Sequence, residues 1–216
     1  MAESGTAKKL RAGAIVARLE EVYPEAACAL RYEGEPWKLM VMGRLSAQCT
    51  DLRVNEVCAV LFKVFPTARD LADGELNKIE EIVRPCGLFR TKAKDIKAEC
   101  ALLCGKYGGE LPRDMETLLT FPGVGRKIAN LLLGDIHGQP AIVADTHCIR
   151  LSRRMGLTPE GETDPVRTEK ALRELIPPEK SNDFCHRLVM FGREYCPARS
   201  PDCGVCPVAD LCMKRV

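Results

Sequence analysis

Apolar residues recur along most of the chain at three- and four-residue spacing, which is the period of an α-helix. Prolines and glycines separate these runs, and both residue types end helices. The pattern predicts an all-α protein with no convincing strand pair. The predicted helices lie near residues 8–22, 37–47, 51–65, 67–73, 75–84, 92–107, 115–119, 146–155, 165–175 and 182–193, with another through 130–133, and residues 141–144 suit either a short strand or a buried connector.

A tight turn with two glycines separates the short amphipathic segment at 115–119 from the apolar run at 130–133. Pro122 disfavours helical geometry in the residue before it, and Gly123 and Gly125 allow turns that a Cβ atom would hinder. We therefore predict a helix, a hairpin and a second helix within about 115–134. The amides of such a hairpin and the free N–H groups of the second helix suit an anion such as a phosphate. On this pattern alone, a helical hairpin inside a core with Lys127 as an exposed cation is the favoured interpretation, and only the rest of the chain reverses that preference.

Composition and charge restrict the class of protein only in part. The formal net charge of +2 is weak evidence for a nucleic-acid partner. The sequence contains no apolar run long enough to span a membrane. Residues 1–9 lack the apolar region of a signal peptide, so we expect a short disordered lead and a cytoplasmic protein.

The twelve cysteines fall into two groups. Cys196, Cys203, Cys206 and Cys212 lie within the last 21 residues, and the prolines between them favour loops that wrap one metal centre. Their spacing allows either a four-thiolate zinc site or an iron–sulfur cluster. The other eight are expected to be small core residues. They are Cys28, Cys49, Cys58, Cys86, Cys100, Cys104, Cys148 and Cys185.

Five segments together resemble the endonuclease III family of DNA glycosylases. They are LSAQCTD at 45–51, GLFRTKA at 87–93, FPGVGRKIAN at 121–130, VADTHCIR at 143–150 and the C-terminal cysteines. The resemblance implies two helical domains with duplex DNA in the cleft between them. One is a six-helix barrel at 29–139, and the other combines 1–28 with 140–216. It also implies a [4Fe-4S] cluster on the four C-terminal cysteines. Independently of the resemblance, we expect a monomer that is cytosolic or nucleoid-associated.

The resemblance further implies removal of damaged pyrimidines that are flipped out of the duplex. Lys127 would attack C1′ and Asp145 would stabilise positive charge on the sugar, which makes the protein a glycosylase and an abasic-site lyase. An amine attacks only in its neutral form, and we expect a first-turn position and partial desolvation to favour that form. We expect Asp145 also to be a helix cap, and His147 to be structural. The predicted DNA contacts are Gln48 and Leu88 as wedges, Gly123, Val124, Gly125 and Arg126 in the hairpin, and Arg199 in the cysteine loop.

Some positions depart from the family pattern. Ile128 stands where threonine is frequent, Cys49 where alanine is common, and loop 134–137 is unusually polar. Each can alter the pocket and so the lesion preference. Two alternatives remain: a mismatch-specific glycosylase, which the presence of Lys127 argues against, and a non-catalytic iron–sulfur module that binds DNA without cutting it.

Overall fold

The computed structural model describes residues 3–214, and this part of the chain is helical without any β-strand. The helices are α1 (Gly5–Val22), α2 (Pro36–Leu45), α3 (Asp51–Val64), α4 (Ala68–Asp73), α5 (Leu76–Val83), α6 (Phe89–Lys106), α7 (Met115–Leu118), α8 (Arg126–Asp135), α9 (Thr146–Arg154), α10 (Pro165–Leu175) and α11 (Ser181–Glu194). Two 3₁₀ turns, Arg84–Cys86 and Pro178–Lys180, complete the regular structure. The all-α prediction is confirmed, and residues 141–144 form a buried connector.

Side-chain caps explain why many of these helices begin where they do. The hydroxyl of Thr50 accepts a hydrogen bond from the N–H of Arg53 at 3.3 Å and starts α3. Asp164 caps α10 in the same way, with Pro165 at the first helical position. Both devices act within one turn of helix, so the sequence alone predicts them.

The N-terminal helix begins earlier than predicted, at Gly5. The hydroxyl of Ser4 accepts a hydrogen bond from the N–H of Ala7 at 3.2 Å. Arg11 pairs with Glu3 at 2.8 Å and also donates to the carbonyl of Met155 at 2.6 Å, which ties this end of the helix to a distant segment. The expected disordered lead is therefore wrong for residues 5–9. Met1 and Ala2 lie outside the described residues.

The chain divides into two compact units. We call the segment Ala29–His137, with helices α2–α8, the hairpin unit. The residues up to Cys28 and from Gly138 onward form the terminal unit, with α1 and α9–α11. Each has its own apolar core, built around fully buried side chains such as Leu39, Met40, Leu45, Leu61 and Ile79 in the first, and Ile15, Leu19, Phe184 and Phe191 in the second.

A close contact between α2 and α8 positions the second helix of the predicted hairpin. A Cβ atom at Gly43 would lie 3.1 Å from the Cγ2 atom of Ile128, so the two helices approach each other tightly at this glycine. Ile128 itself is buried. Ile128, the residue that stands where threonine is frequent, thus packs against α2 at Gly43.

Within residues 3–214, none of the helices has both the length and the apolar character required to cross a membrane.

Candidate nucleic-acid interface and active site

Residues 115–135 form the predicted helix-hairpin-helix. Asp114 caps α7 by accepting a hydrogen bond from the N–H of Thr117 at 2.8 Å. Gly123 has φ of +74° and Gly125 is the N-cap residue of α8. Because glycine offers no side chain to cap the helix, the first-turn N–H groups of α8 lack a side-chain acceptor there. The exposed residues around this end are Gly123, Gly125, Arg126 and Lys127.

Val124 lies in the hairpin with its side chain turned into the core. The residue is only 5% exposed, and its N–H donates to the carbonyl of Phe121 at 3.1 Å. Its side chain anchors the turn to the core, and a contact between Val124 and DNA stays a prediction. The hairpin surface is formed by its neighbours.

Lys127 lies in the first turn of α8, and its side chain is exposed. No hydrogen bond or ion pair engages its ammonium group within residues 3–214. The expected partial desolvation of this amine stays a prediction. What the fold does supply is an unpaired amine beside the positive end of a helix.

Asp145 is the N-cap of α9. Its Oδ1 atom accepts a hydrogen bond from the N–H of Cys148 at 2.7 Å, and the residue is half-buried. The cap predicted from sequence is confirmed. It aims the carboxylate rigidly, because the cap leaves the side chain little rotational freedom. His147 is half-buried and its Nδ1 atom lies 3.3 Å from the guanidinium of Arg150, which agrees with the structural role predicted for it.

Gln48 and Leu88 occupy the ends of two turns in the hairpin unit. Gln48 is exposed with φ of +55°, and Leu88 is 58% exposed with φ of +48°. A bulky residue in the left-handed region is an outlier that the surrounding structure must enforce. The backbone at both predicted wedge residues is therefore strained, and the surrounding structure holds it in this conformation.

The four C-terminal cysteines line one cavity of the terminal unit. All four are half-buried and none forms a disulfide. Four cysteine sulfurs around one cavity are the donor set of an iron–sulfur cluster, which Cys196, Cys203, Cys206 and Cys212 would hold.

Arg154 binds the segment that follows α11 and borders this cavity. The sequence analysis did not identify this residue. Its guanidinium donates to the sulfur of Cys196 at 3.3 Å and to the carbonyls of Pro197 and Ala198, each at 2.7 Å. The residue is only 8% exposed. Its position in the last turn of α9 gives no sign of burial, because a basic residue there is usually at the surface. Arg199, which follows this anchored segment, is exposed.

Comparisons with known proteins agree with these features. Residues 41–178 match the family model described as HhH-GPD superfamily base excision DNA repair protein, and residues 196–212 match the iron–sulfur binding domain of endonuclease III. The fold and hairpin thus define a base excision DNA repair protein of the helix-hairpin-helix class.

Sequence relatives and similar solved structures indicate which family within this class the chain resembles. Endonuclease III of Synechocystis sp. is 46% identical, covering 95% of this chain and 93% of its own, and that of Escherichia coli K12 is 35% identical, covering 92% of each. Two solved endonuclease III–DNA complexes, one non-covalent and one a trapped covalent intermediate, are both 39% identical with a TM-score of 0.89, covering 95% of this chain and 95% and 96% of theirs. A thermostable thymine-DNA glycosylase at 21% identity shares the fold, with a TM-score of 0.85 over 96% and 98% of the two chains.

The chain belongs to the endonuclease III family. It is a DNA glycosylase with abasic-site lyase activity in base excision repair, its partner is DNA, and its cofactor is a [4Fe-4S] cluster. The four cysteines named above are the ligands available to that cluster in the matched segment. The sequence-based identification of family, fold class and cofactor is confirmed.

Proposed function

We propose that this enzyme removes oxidised pyrimidines from duplex DNA and cuts abasic sites, with Lys127 as nucleophile and Asp145 as its electrostatic partner. The observation that supports this most directly is the unpaired, exposed amine of Lys127 in the first turn of α8, next to the hairpin. A lysine amine in this position can act as a nucleophile in its neutral form.

The reaction proceeds in two stages. The lysine nitrogen forms a bond to C1′, the glycosidic bond breaks, and the base leaves with the electron pair and accepts a proton. Loss of the amine proton and opening of the sugar ring give a Schiff base. Removal of a proton from C2′ then breaks the C3′–O bond, which cuts the strand on the 3′ side of the lesion. The carboxylate of Asp145 stabilises the positive charge that develops on the sugar.

The DNA must be held while the nucleotide is flipped out, at a cost of roughly a few kcal/mol. The first-turn amides of α8, with Gly123, Gly125 and Arg126, bind a backbone phosphate. Gln48 and Leu88 insert where the flipped nucleotide leaves a gap, and Arg199 in the cluster loop contacts the backbone. The barrel assigned to 29–139 and the domain assigned to 1–28 with 140–216 both take part in binding the duplex.

We further propose that the enzyme acts as a monomer, in the cytoplasm and on chromosomal DNA. One lesion occupies one set of inserting residues, so a single chain suffices. Light scattering of the complex with one lesion-containing duplex tests this, and a second protein chain per duplex would contradict it.

Borohydride trapping tests the chemistry. The wild type, Lys127→Ala and the control Lys170→Ala, an exposed lysine of α10, are incubated with duplexes that contain an oxidised pyrimidine or an abasic site. We expect a covalent adduct with the wild type and the control, and none with Lys127→Ala. Tight binding without adduct or cleavage by the wild type would favour a non-catalytic module. Excision from mismatches without an adduct would favour a mismatch glycosylase.

A further inference from the structure

Lys92 is a fully buried lysine, with 0% of its surface exposed. Its ammonium group makes three hydrogen bonds, to the carbonyls of Leu45 at 2.9 Å, Ala47 at 2.7 Å and Cys86 at 2.7 Å. A lysine ammonium has three donors, so this set of acceptors uses all of them. The mechanism above assigns no role to this buried charge.

The three carbonyls belong to the two turns that end in Gln48 and Leu88. Leu45 ends α2, and Ala47 directly precedes Gln48. Cys86 ends the 3₁₀ turn that leads through Gly87 to Leu88. The backbone N–H of Lys92 also donates to the carbonyl of Leu88 at 3.0 Å. One residue thus joins both segments.

The backbone of both turns needs such support. Gln48 and Leu88 each have positive φ, which costs a residue other than glycine of order 1–3 kcal/mol and persists only where neighbours enforce it. The C-terminal carbonyls of α2 are the negative end of a helix, where a cation is favourable. Burial lowers the pKa of Lys92, so its ammonium depends on these carbonyls for stabilisation.

We propose that Lys92 is a positioning residue that clamps the two inserting turns together, so that Gln48 and Leu88 enter the duplex as a pre-organised pair. This rests on the proposed insertion roles of those two residues. A pre-organised pair fills the gap without first being ordered, which increases the advantage of a flipped-out over a stacked nucleotide.

The same helix offers a matched control. Lys97 donates to the carbonyls of Ala72 and Gly74, each at 2.6 Å, and so clamps the end of α4. That turn contains none of the proposed DNA contacts. Lys97→Met therefore removes a similar clamp from the same helix without touching the inserting turns.

The experiment compares the cluster-loaded wild type, Lys92→Met and Lys97→Met. Binding is measured to a duplex with a tetrahydrofuran abasic analogue and to the same duplex undamaged, and base excision is compared with cleavage of a preformed abasic site. We expect Lys92→Met to lower the preference for the abasic analogue over the undamaged duplex about tenfold. The ratio of the base-excision rate to the abasic-site cleavage rate should fall by about the same factor. The affinity for undamaged duplex should not change. Lys97→Met should keep both ratios, because a loss of folded protein lowers all rates together.

A second experiment repeats the binding comparison in the double variant Gln48→Ala and Leu88→Ala, which lacks both inserting side chains. If Lys92 acts through them, Lys92→Met causes no further loss of preference there. Should Lys92→Met not fold, Lys92→Gln replaces it, because its amide retains two of the three donors. The inference is overturned if Lys92→Met lowers the preference as much in this background as in the wild type. It is also overturned if Lys97→Met lowers the preference as much as Lys92→Met does.

The two proposals fail in different ways. A wild type that neither excises bases nor distinguishes the two duplexes contradicts the proposed function. A wild type that does both, together with a Lys92→Met or Lys92→Gln variant that retains the wild-type preference, contradicts only the clamp.

Discussion

Gly123 rests directly on the side chain of Arg44: a Cβ atom at position 123 would lie 2.6 Å from the Cδ atom of that arginine. The guanidinium is fixed there by Asp95, whose Oδ2 atom lies 2.7 Å from both Nε and Nη2. The hairpin thus sits on a partly buried ion pair. The close approach, together with φ of +74°, makes glycine necessary at this position.

Gly123→Ala should therefore destabilise the hairpin unit by about 1–3 kcal/mol and weaken DNA binding, since the residue would be strained and would displace Arg44. Gly125→Ala is the matched control for stability only, because its φ is −91° and a Cβ atom there meets nothing within 4 Å of the described residues. Urea unfolding and DNA titration measure both effects. Equal stability of the two variants would contradict the assigned contact.

Asp145→Asn should abolish base excision while the protein remains stable. Asparagine caps a helix about as well as aspartate, so the hydrogen bond to the N–H of Cys148 is kept while the charge is lost. Asp145→Ala should lose excision and also about 1 kcal/mol of stability through the missing cap. Single-turnover excision and thermal unfolding separate these roles. Unchanged turnover in Asp145→Asn would remove the electrostatic role of the carboxylate.

Cys203→Ala should remove the brown colour that an iron–sulfur cluster produces and should destabilise the terminal unit, because metal binding contributes to folding. Cys104→Ala serves as control, since Cys104 is half-buried in α6 of the other unit. Iron and sulfide analysis with an absorption spectrum measures the change. A colourless native protein loaded with zinc would contradict the cluster.

Glu99 should make stability depend on pH. Its side chain is fully buried, neither carboxyl oxygen has a hydrogen-bond partner among residues 3–214, and burial raises its pKa well above the usual 4.5. Above that value the native state keeps a proton that the unfolded state has released, so the free energy of unfolding falls as pH rises.

Glu99→Gln should remove this slope, which is at most about 1.4 kcal/mol per pH unit, and its advantage over the wild type should grow from pH 5 to pH 8. Urea unfolding across this range measures the difference. Glu110→Gln, at an exposed site, should leave the wild-type slope unchanged. A constant difference between Glu99→Gln and wild type at all pH values would show that Glu99 is already ionised in the native state.

DNA affinity should fall steeply with salt, because binding of phosphates by basic side chains releases counterions. Arg199→Gln should reduce the slope of log affinity against log salt by about 1 and weaken binding to all sequences alike. Exposed Arg69 of α4 has no proposed DNA contact, and Arg69→Gln should leave the slope unchanged. An unaltered slope for Arg199→Gln would place that residue away from the phosphates.

The predicted and observed roles of single residues show which features depend on neighbouring residues and which depend on tertiary contacts. Asp145 was predicted as a helix cap and is one, because a cap depends on residues within one turn. The start of α1 was missed although its cap, Ser4, is equally local, and the tertiary structure adds the carbonyls of distant segments that hold Arg11. The burial of Val124 could not be predicted because the turn pattern does not reveal which of its residues faces the core.

The sequence by itself determined the all-α class, most helix ends, the hairpin, the C-terminal group of four cysteines and the family, because these depend on short-range spacing or on motifs of adjacent residues. Only the tertiary structure decided that Lys92, Glu99 and Arg154 are buried, that Lys127 is left uncovered, and that Gly123 rests on Arg44. Burial and partnership are set by segments far apart in the chain, and no local pattern of side chains encodes them.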